Sequence, residues 1–265
     1  MNKVFASTHD AVADIPSGAT LAVGGFGLCG VPIALIDALL EQGTDDLTTI
    51  SNNCGVDDQA LGVLLYAGRV RKTISSFVGG NKELARLYYS GEMEVELTPQ
   101  GTLAERLRAG GSGIPAFYTP TGVGTMVAEG GIPIRYDGEG NVVEVSRPKE
   151  VRVFDGKQYV LETALTADFG LVRAAVGDRH GNLVFHESAR NFNPLAGMAG
   201  RITIAEVEEL VEPGAMTPEN VHLPGVFVDR VVLVGPQGKK IEKRTTRPRT
   251  DRSETPAAAG EEASA

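Results

Sequence analysis

Short apolar runs alternate with helical patterns through the first hundred positions of the chain. The apolar run at Thr20–Val23 ends at glycines, and residues 33–40 then carry apolar side chains at helical spacing. The same alternation recurs through residues 46–50, the positions after Asp57, and residues 70–78. This order of elements is typical of a parallel sheet covered by helices. We therefore expect an α/β fold, with an open, mainly parallel sheet and helices on both faces.

Capping residues predict where the helices of this first part begin. Pro32 suits a first helical position, because its missing N–H has no partner to lose there. Thr102 and Glu105 have capping-box spacing, which places a helix start immediately after Gln100 and Gly101. The predicted helices are one over residues 3–16, one starting at Pro32, one starting at Asp57, one capped by Asn81 and one capped by Thr102.

The pattern changes after Gly110, where residues 110–122 are rich in glycine and proline and predict a loop. Residues 134–161 alternate around two hairpin signals, Asp137–Asn141 and Asp155-Gly156, which predict a small antiparallel β insertion. We expect one domain over residues 1–245 that includes this insertion. The composition of residues 246–265 cannot form a core and predicts a disordered tail.

Composition and charge narrow the class of protein. The chain has 265 residues, a 42% apolar content and a formal net charge of −9. It has no long apolar run and no signal-peptide pattern at its start, so we expect a cytoplasmic protein without a membrane partner. Residues 239–252 hold seven Lys or Arg against two acidic residues but no aromatic side chain. We therefore favour a solvated tail over a nucleic-acid-binding arm, and expect no nucleic-acid partner.

The glycine-rich stretch between the first run and its helix is the strongest candidate for a binding loop. It consists of Gly24, Gly25, Phe26, Gly27, Leu28, Cys29 and Gly30. Glycines let backbone approach a ligand closely, and free N–H groups at the following helix start are predicted to face that ligand.

Gly25, Gly27 and Gly30 also match a dinucleotide fingerprint. That fingerprint needs an acidic residue about 20 residues further along, to hold a ribose. Asn52 and Asn53 stand at this place instead. A dinucleotide-binding oxidoreductase remains an alternative from another class, and NADH binding would reveal it.

Three neutral amides follow neighbouring strands. Asn52 and Asn53 come at the end of the second strand, and Gln100 comes at the start of the helix after residues 93–97. Because ligands in open α/β sheets gather outside the carboxyl ends of the strands, we expect these amides to converge with the glycine loop. Each amide could instead only cap a turn.

An obvious nucleophile is missing from this binding edge. The chain has no Gly-x-Ser-x-Gly or Cys-x-x-Cys motif, and its four histidines lack metal-ligand spacing, so we expect no metal site. Cys29 is the one candidate nucleophile, but no histidine lies near it in the sequence to act as its base. The residues alone describe an incomplete active site.

Several segments resemble the class I coenzyme A transferases, and the resemblance extends over about residues 3–245. Within the family, the insertion at 134–161 is similar to the branch that acts on 3-keto acids. The similar segments are Gly24-Gly25-Phe26-Gly27-Leu28-Cys29-Gly30-Val31-Pro32 and residues 51–53, 94–106, 110–125 and 188–193.

The resemblance implies a ping-pong transfer through an enzyme glutamyl-CoA thioester. It implies that the glutamate belongs to a B subunit, in a heterodimer or heterotetramer, and that coenzyme A is a substrate with no permanently bound cofactor. Gly24 to Gly30 would line the CoA pocket, Gln100 would donate to the thioester oxygen, and Asn52 and Asn53 would place the substrate carboxylate or CoA. Succinyl-CoA and acetoacetate are the implied substrates, with 3-oxoadipate or short-chain fatty acids as alternatives.

Overall fold

The computed structural model describes residues 2–238. Its strands are β1 (Val4–Phe5), β2 (Thr20–Val23), β3 (Leu47–Asn53), β4 (Val70–Phe77), β5 (Glu94–Leu97), β6 (Ala116–Thr119), β7 (Pro133–Tyr136), β8 (Val142–Val145), β9 (Val151–Phe154), β10 (Lys157–Thr163), β11 (Ala167–Asp178), β12 (Leu183–Val184), β13 (Gly200–Val211) and β14 (Arg230–Leu233). Its α-helices are α1 (Thr8–Val12), α2 (Ile33–Gln42), α3 (Gly62–Tyr66), α4 (Lys82–Tyr89), α5 (Gln100–Gly111), α6 (Met126–Glu129) and α7 (Asn193–Ala199).

Within these residues, the centre of the fold is a nine-stranded sheet in the order β1-β14-β13-β11-β2-β3-β4-β5, with β12 paired to β11. Every pair along this path is parallel, and only β12 runs antiparallel. The predicted α/β fold with a mainly parallel sheet is confirmed. The carboxyl ends of β2, β3, β4 and β5 consequently lie at one edge of the sheet.

Two hydrophobic cores lie on the two faces of this sheet. Leu21 and Val23 belong to one core and Ala22 to the other, as expected when successive strand residues point to opposite faces. Helices α1 to α4 cover the first face, and α5 and α7 pack together on the second. Burial on both faces explains why β2 is a continuous apolar run instead of an alternating one.

The predicted antiparallel insertion is present as two small sheets, β7-β8 and β6-β10-β9. Both hairpin signals lie at the turns predicted for them, between β7 and β8 and between β9 and β10. The small sheets also use residues before position 134. The predicted loop at 110–122 contains β6, because residues 116–119 pair with β10, about forty positions further along the chain.

Several predicted helix starts were wrong. Residues 4–5 of the expected first helix form β1, which pairs with β14, and only Thr8–Val12 is helical, with Ser7 as its cap. The third helix begins at Gly62, since the Asp57 carboxylate accepts from the backbone N–H of Lys82 instead of capping its own segment.

The predicted capping box was also wrong. Helix α5 begins at Gln100, with the extended Pro99 before it, and Thr102 is buried inside the first turn. By contrast, the predicted cap of the fourth helix is confirmed, because Asn81 Oδ1 accepts from the N–H of Leu84 at 2.9 Å.

The predicted tail at 246–265 and the whole basic stretch at 239–252 lie outside the described residues.

Candidate active site

The glycine loop, residues 24–30, connects the carboxyl end of β2 to α2. Phe26 and Cys29 exchange backbone hydrogen bonds of 3.0 and 2.9 Å, which closes the loop into a tight turn. Gly25 has a φ of 116°, a conformation that favours glycine. A Cβ atom at Gly24 would overlap the side chain of Asn193, so this position is glycine for lack of space.

Asn193, at the start of α7, anchors the glycine loop by hydrogen bonds of its side chain. Its Oδ1 accepts from the N–H of Arg173 at 3.0 Å, and its Nδ2 donates to the carbonyls of Gly30 at 2.9 Å and Ala189 at 2.8 Å. Asn191 Nδ2 donates to the Cys29 carbonyl at 3.1 Å. Sequence reasoning found these two asparagines only through the family resemblance at 188–193. An Asn-Pro pair at a helix start was the sole local signal.

The prediction that free N–H groups of α2 face a ligand was wrong. The N–H of Leu35 donates to Glu206 Oε2 at 3.0 Å, from the neighbouring part of β13. Pro32 precedes the helix as its N-cap instead of occupying the first helical position. The buried side chain of Glu206 therefore accepts from the N–H groups at the start of α2. An anion bound at the glycine loop would need hydrogen-bond donors from other parts of the chain.

The three predicted amides do converge beside the loop. Gln100 Nε2 donates to Asn52 Oδ1 at 2.8 Å, and Asn52 Nδ2 lies 3.4 Å from Asn53 Oδ1. Asn53 Oδ1 also accepts from the N–H of Gly27 at 3.0 Å. Ser76 Oγ, at the end of β4, completes the cluster 3.1 Å from Asn52 Oδ1. Side chains from three strand ends and one backbone group of the loop thus form one network.

The backbone N–H of Gly27 decides which way the amide groups of this network are oriented. The N–H of Gly27 can only donate, so Asn53 must present its oxygen to it. Asn52 must then turn its Nδ2 toward Asn53 and its oxygen toward Gln100. The network therefore occupies the oxygens of both asparagines, and it leaves the Asn53 Nδ2 group and the second N–H of Gln100 as donors for a ligand.

Helix α5, which carries Gln100, is fixed by a buried arginine. Arg106 Nη1 donates to Glu96 Oε1 at 2.9 Å, and its Nε donates to the Thr163 carbonyl at 2.8 Å. Burial alone would raise the pKa of Glu96, but the hydrogen bond and charge of Arg106, together with the nearby Lys72, outweigh it and hold that pKa below its usual value. The ion pair joins α5 to β5 and so keeps Gln100 at the sheet edge.

Two cavities flank the glycine loop. The first, which we call the amide cavity, has a volume of about 400 Å³ and is lined by the three amides with Phe26, Gly27, Ser76 and Phe77. The second, of about 330 Å³, includes Leu28, Cys29 and Gly30 in its lining. Gly24 and Gly25 are buried and line neither cavity. Of the seven predicted loop residues, two therefore line the amide cavity, three line the second cavity, and two are buried.

Cys29 is exposed at the second cavity, with its Sγ 3.3 Å from Ser188 Oγ. His186 lines the same cavity, and its Nδ1 lies 3.7 Å from Glu187 Oε2. The structure thus places one histidine in the cavity of this thiol, although the hydrogen-bond partner of the thiol is a serine.

The part of the chain that the structure describes contains no group of three or more His, Cys, Asp or Glu arranged to hold a metal ion. Within the same residues, every helix is too short or too polar to cross a membrane.

Comparison with known proteins identifies the family to which the chain is similar. The family model described as "Coenzyme A transferase" matches residues 5–233. The chain is 63% identical over 247 residues to the A subunit of a probable succinyl-CoA:3-ketoacid coenzyme A transferase of Mycobacterium tuberculosis, covering 93% of this chain and all of that protein. It is 52% identical to the human mitochondrial succinyl-CoA:3-ketoacid coenzyme A transferase 2, covering 92% of this chain and 47% of that protein.

Among solved structures, an acyl-CoA transferase from E. coli O157:H7, in a thioester complex with CoA, matches with a TM-score of 0.75 and 26% identity. The match covers 90% of this chain and 48% of that one, so the chain spans about half the length of this transferase. The predicted resemblance is confirmed, and the chain belongs to the coenzyme A transferase family.

Proposed function

We propose that this chain is the A subunit of a two-chain enzyme that moves CoA from succinyl-CoA to a 3-oxo acid, acetoacetate. The observation that carries the proposal is the amide cavity at the carboxyl edge of the sheet. It presents hydrogen-bond donors from Gln100 and Asn53 toward a space that fits a small acyl group. The name of the M. tuberculosis relative, which matches over its whole length, supports the same assignment.

The nucleophile comes from the partner chain. The described residues that line the amide cavity are amides, a serine, two phenylalanines and a glycine, without a carboxylate. In the family that this chain resembles, the attacking group is a glutamate in a Ser-Glu-Asn-Gly motif of the B half, and this sequence contains no such motif. A B subunit with that motif would complete the site as a heterodimer or heterotetramer.

The reaction then divides between the two chains. A partner carboxylate oxygen attacks the acyl carbon of succinyl-CoA, the C–S bond breaks, and CoA leaves as a thiolate. The thiolate attacks the glutamyl carbonyl of the resulting anhydride, which releases succinate and leaves a glutamyl-CoA thioester. The carboxylate of acetoacetate attacks the glutamyl carbonyl of that thioester, which expels the CoA thiolate and forms a second anhydride. The thiolate then attacks the acetoacetyl carbonyl of this anhydride, which releases the glutamate carboxylate and gives acetoacetyl-CoA.

Gln100 donates to the thioester oxygen as it gains negative charge. Oriented donors of this kind change rates by about 10² to 10³. Asn53, whose oxygen is held by Gly27, donates to the substrate carboxylate or to CoA, and Asn52 keeps Gln100 in place. Neutral amides suit this role, because a lysine at the same place would pair with the attacking carboxylate.

The test of this proposal is Gln100→Ala in the enzyme assembled with its B subunit. We expect turnover to fall at least tenfold, toward the range for loss of one oxyanion donor, with assembly intact. Gln158→Ala, at an exposed position of β10, is the matched control and should leave turnover unchanged. Equal turnover of the two variants would contradict the role of Gln100. Rates with 3-oxoadipate and butyrate in place of acetoacetate decide the acceptor acid.

We also propose a cytoplasmic location. Both cysteines, Cys29 and Cys54, are free thiols. Unpaired thiols fit a reducing compartment.

A further inference from the structure

Glu206 is a fully buried carboxyl group in the middle of β13. Its Oε2 accepts from the N–H of Leu35 at 3.0 Å, and the N–H of Ala34 is a second backbone partner. Its Oε1 has no hydrogen-bond partner among the described residues. A buried carboxyl group with an unsatisfied oxygen is costly, and the proposed transfer reaction does not use it.

The charges around Glu206 come from three elements. Arg173 on β11 has its Nε 3.9 Å from Glu206 Oε1, but its Nη2 is engaged by Glu208 at 2.5 Å. Asp37 on α2 adds a repulsive charge. Burial outweighs the two backbone N–H groups and Arg173, and it raises the pKa of Glu206 to about 7.

We infer that Glu206 is a positioning residue that fixes the start of α2 and, through it, the glycine loop. Asn193 holds the loop at Gly30, and Glu206 holds the chain five residues later at Leu35. Between these two anchors lie only Val31 to Ala34, so their positions set where the loop meets the second cavity. The helix start binds this side chain instead of a substrate anion.

The two anchors differ in one respect, because Glu206 can lose its proton near neutral pH. The pKa in the folded chain lies above the value of about 4.3 for an exposed glutamate. Protonation therefore favours the packed arrangement fully below about pH 4.3, and this contribution is lost as pH rises through about 7. Between these two pH values, each unit shifts the balance about tenfold toward conformations in which water reaches the carboxylate, and above about pH 7 no further shift follows.

Hydrogen exchange of the backbone amides of Ala34 and Leu35 tests this inference in the full chain assembled with its B subunit. After correction for the intrinsic exchange rate, we expect protection to fall about tenfold between pH 5 and pH 6 and to level off above pH 7. Glu206→Gln keeps an oxygen for the Leu35 N–H but cannot ionise, so its protection should stay constant. Glu209→Gln changes an exposed glutamate of the same strand and should behave as the unchanged chain does. Equal loss of protection in Glu206→Gln would overturn the inference.

A second readout, which rests on the proposed function, is the pH profile of transfer. We expect the KM for succinyl-CoA to rise between pH 5 and pH 7 and to level off above pH 7 in the unchanged enzyme, and to stay flat in Glu206→Gln, with kcat similar in both. A flat KM in both enzymes would overturn the link from Glu206 to the loop. If the unchanged enzyme transfers no CoA, the proposed function fails, and the exchange result still decides the role of Glu206.

Discussion

Replacement of Asn193 by alanine is the sharpest test of how the glycine loop is held. The side chain is fully buried and makes three hydrogen bonds, to the N–H of Arg173 and the carbonyls of Gly30 and Ala189. Each bond contributes about 1 kcal/mol, and buried groups left without a partner add to the loss. We expect Asn193→Ala to lower the free energy of unfolding by about 3–4 kcal/mol.

A chain of this size loses about 2–4 °C of Tm for each kcal/mol, so Tm should fall by about 6–16 °C. Calorimetry or circular dichroism measures that change. Asn141→Ala removes an exposed asparagine that bonds to Asp137 in the β7-β8 turn, and it should change stability by at most about 0.5 kcal/mol. Equal effects of the two substitutions would refute the loop-anchoring role of Asn193.

Gly24 supplies the second half of this test. The backbone of Gly24 has no positive φ, and the two atoms that a Cβ would overlap most, Oδ1 and Cγ, belong to the Asn193 side chain. Gly24→Ala alone should be destabilising by about 1–3 kcal/mol, as is usual for overpacking. In the Asn193→Ala background the same change should be at least about 1 kcal/mol less destabilising, because the overlapping Oδ1 and Cγ atoms are gone. Additive effects would show that the two positions do not press on each other.

Three further predictions concern side chains away from the amide cavity. Arg106→Met removes the buried arginine and its hydrogen bonds to the half-buried Glu96 and the Thr163 carbonyl, while Lys72 stays 3.3 Å from the other Glu96 oxygen; it should be destabilising by about 1.5–3 kcal/mol in urea unfolding. Arg108→Met, at an exposed pair, should change stability by less than about 1 kcal/mol. A thiol reagent should modify the exposed Cys29 quickly in the folded chain, whereas burial, which raises the pKa of Cys54, should protect that thiol until unfolding; two fast thiols would contradict this. Cys29→Ala should keep most of the transfer activity. A variant without activity would instead make this thiol the nucleophile.

The convergence of the amides could be predicted because it depends on topology alone. Once β3, β4 and β5 are parallel neighbours, the residues at their carboxyl ends must meet at one edge. Asn52, Asn53 and Gln100 were therefore placed correctly. Ser76 was missed although it stands at the same edge, because a serine near the end of a strand carries no signal of its own.

The supports of the loop could not be predicted, because they come from distant parts of the chain. Asn193 bonds to Gly30 across 163 positions, and Glu206 bonds to Leu35 across 171. Predictions from neighbouring residues in the sequence failed where contacts between distant residues decide the local structure. The free helix start expected after the loop is satisfied by Glu206, and the capping-box pattern at Thr102 lies inside a helix that already begins after Pro99.

A divided active site, with one half held by this chain, can be tested by separating and recombining the two halves. The quantity to measure is the rate of acetoacetyl-CoA formation from succinyl-CoA and acetoacetate, by this chain alone, by its B partner alone and by the two together. We expect activity only for the two together, as a stable complex. Activity of this chain alone would contradict the divided site, since the nucleophile would then lie within these 265 residues.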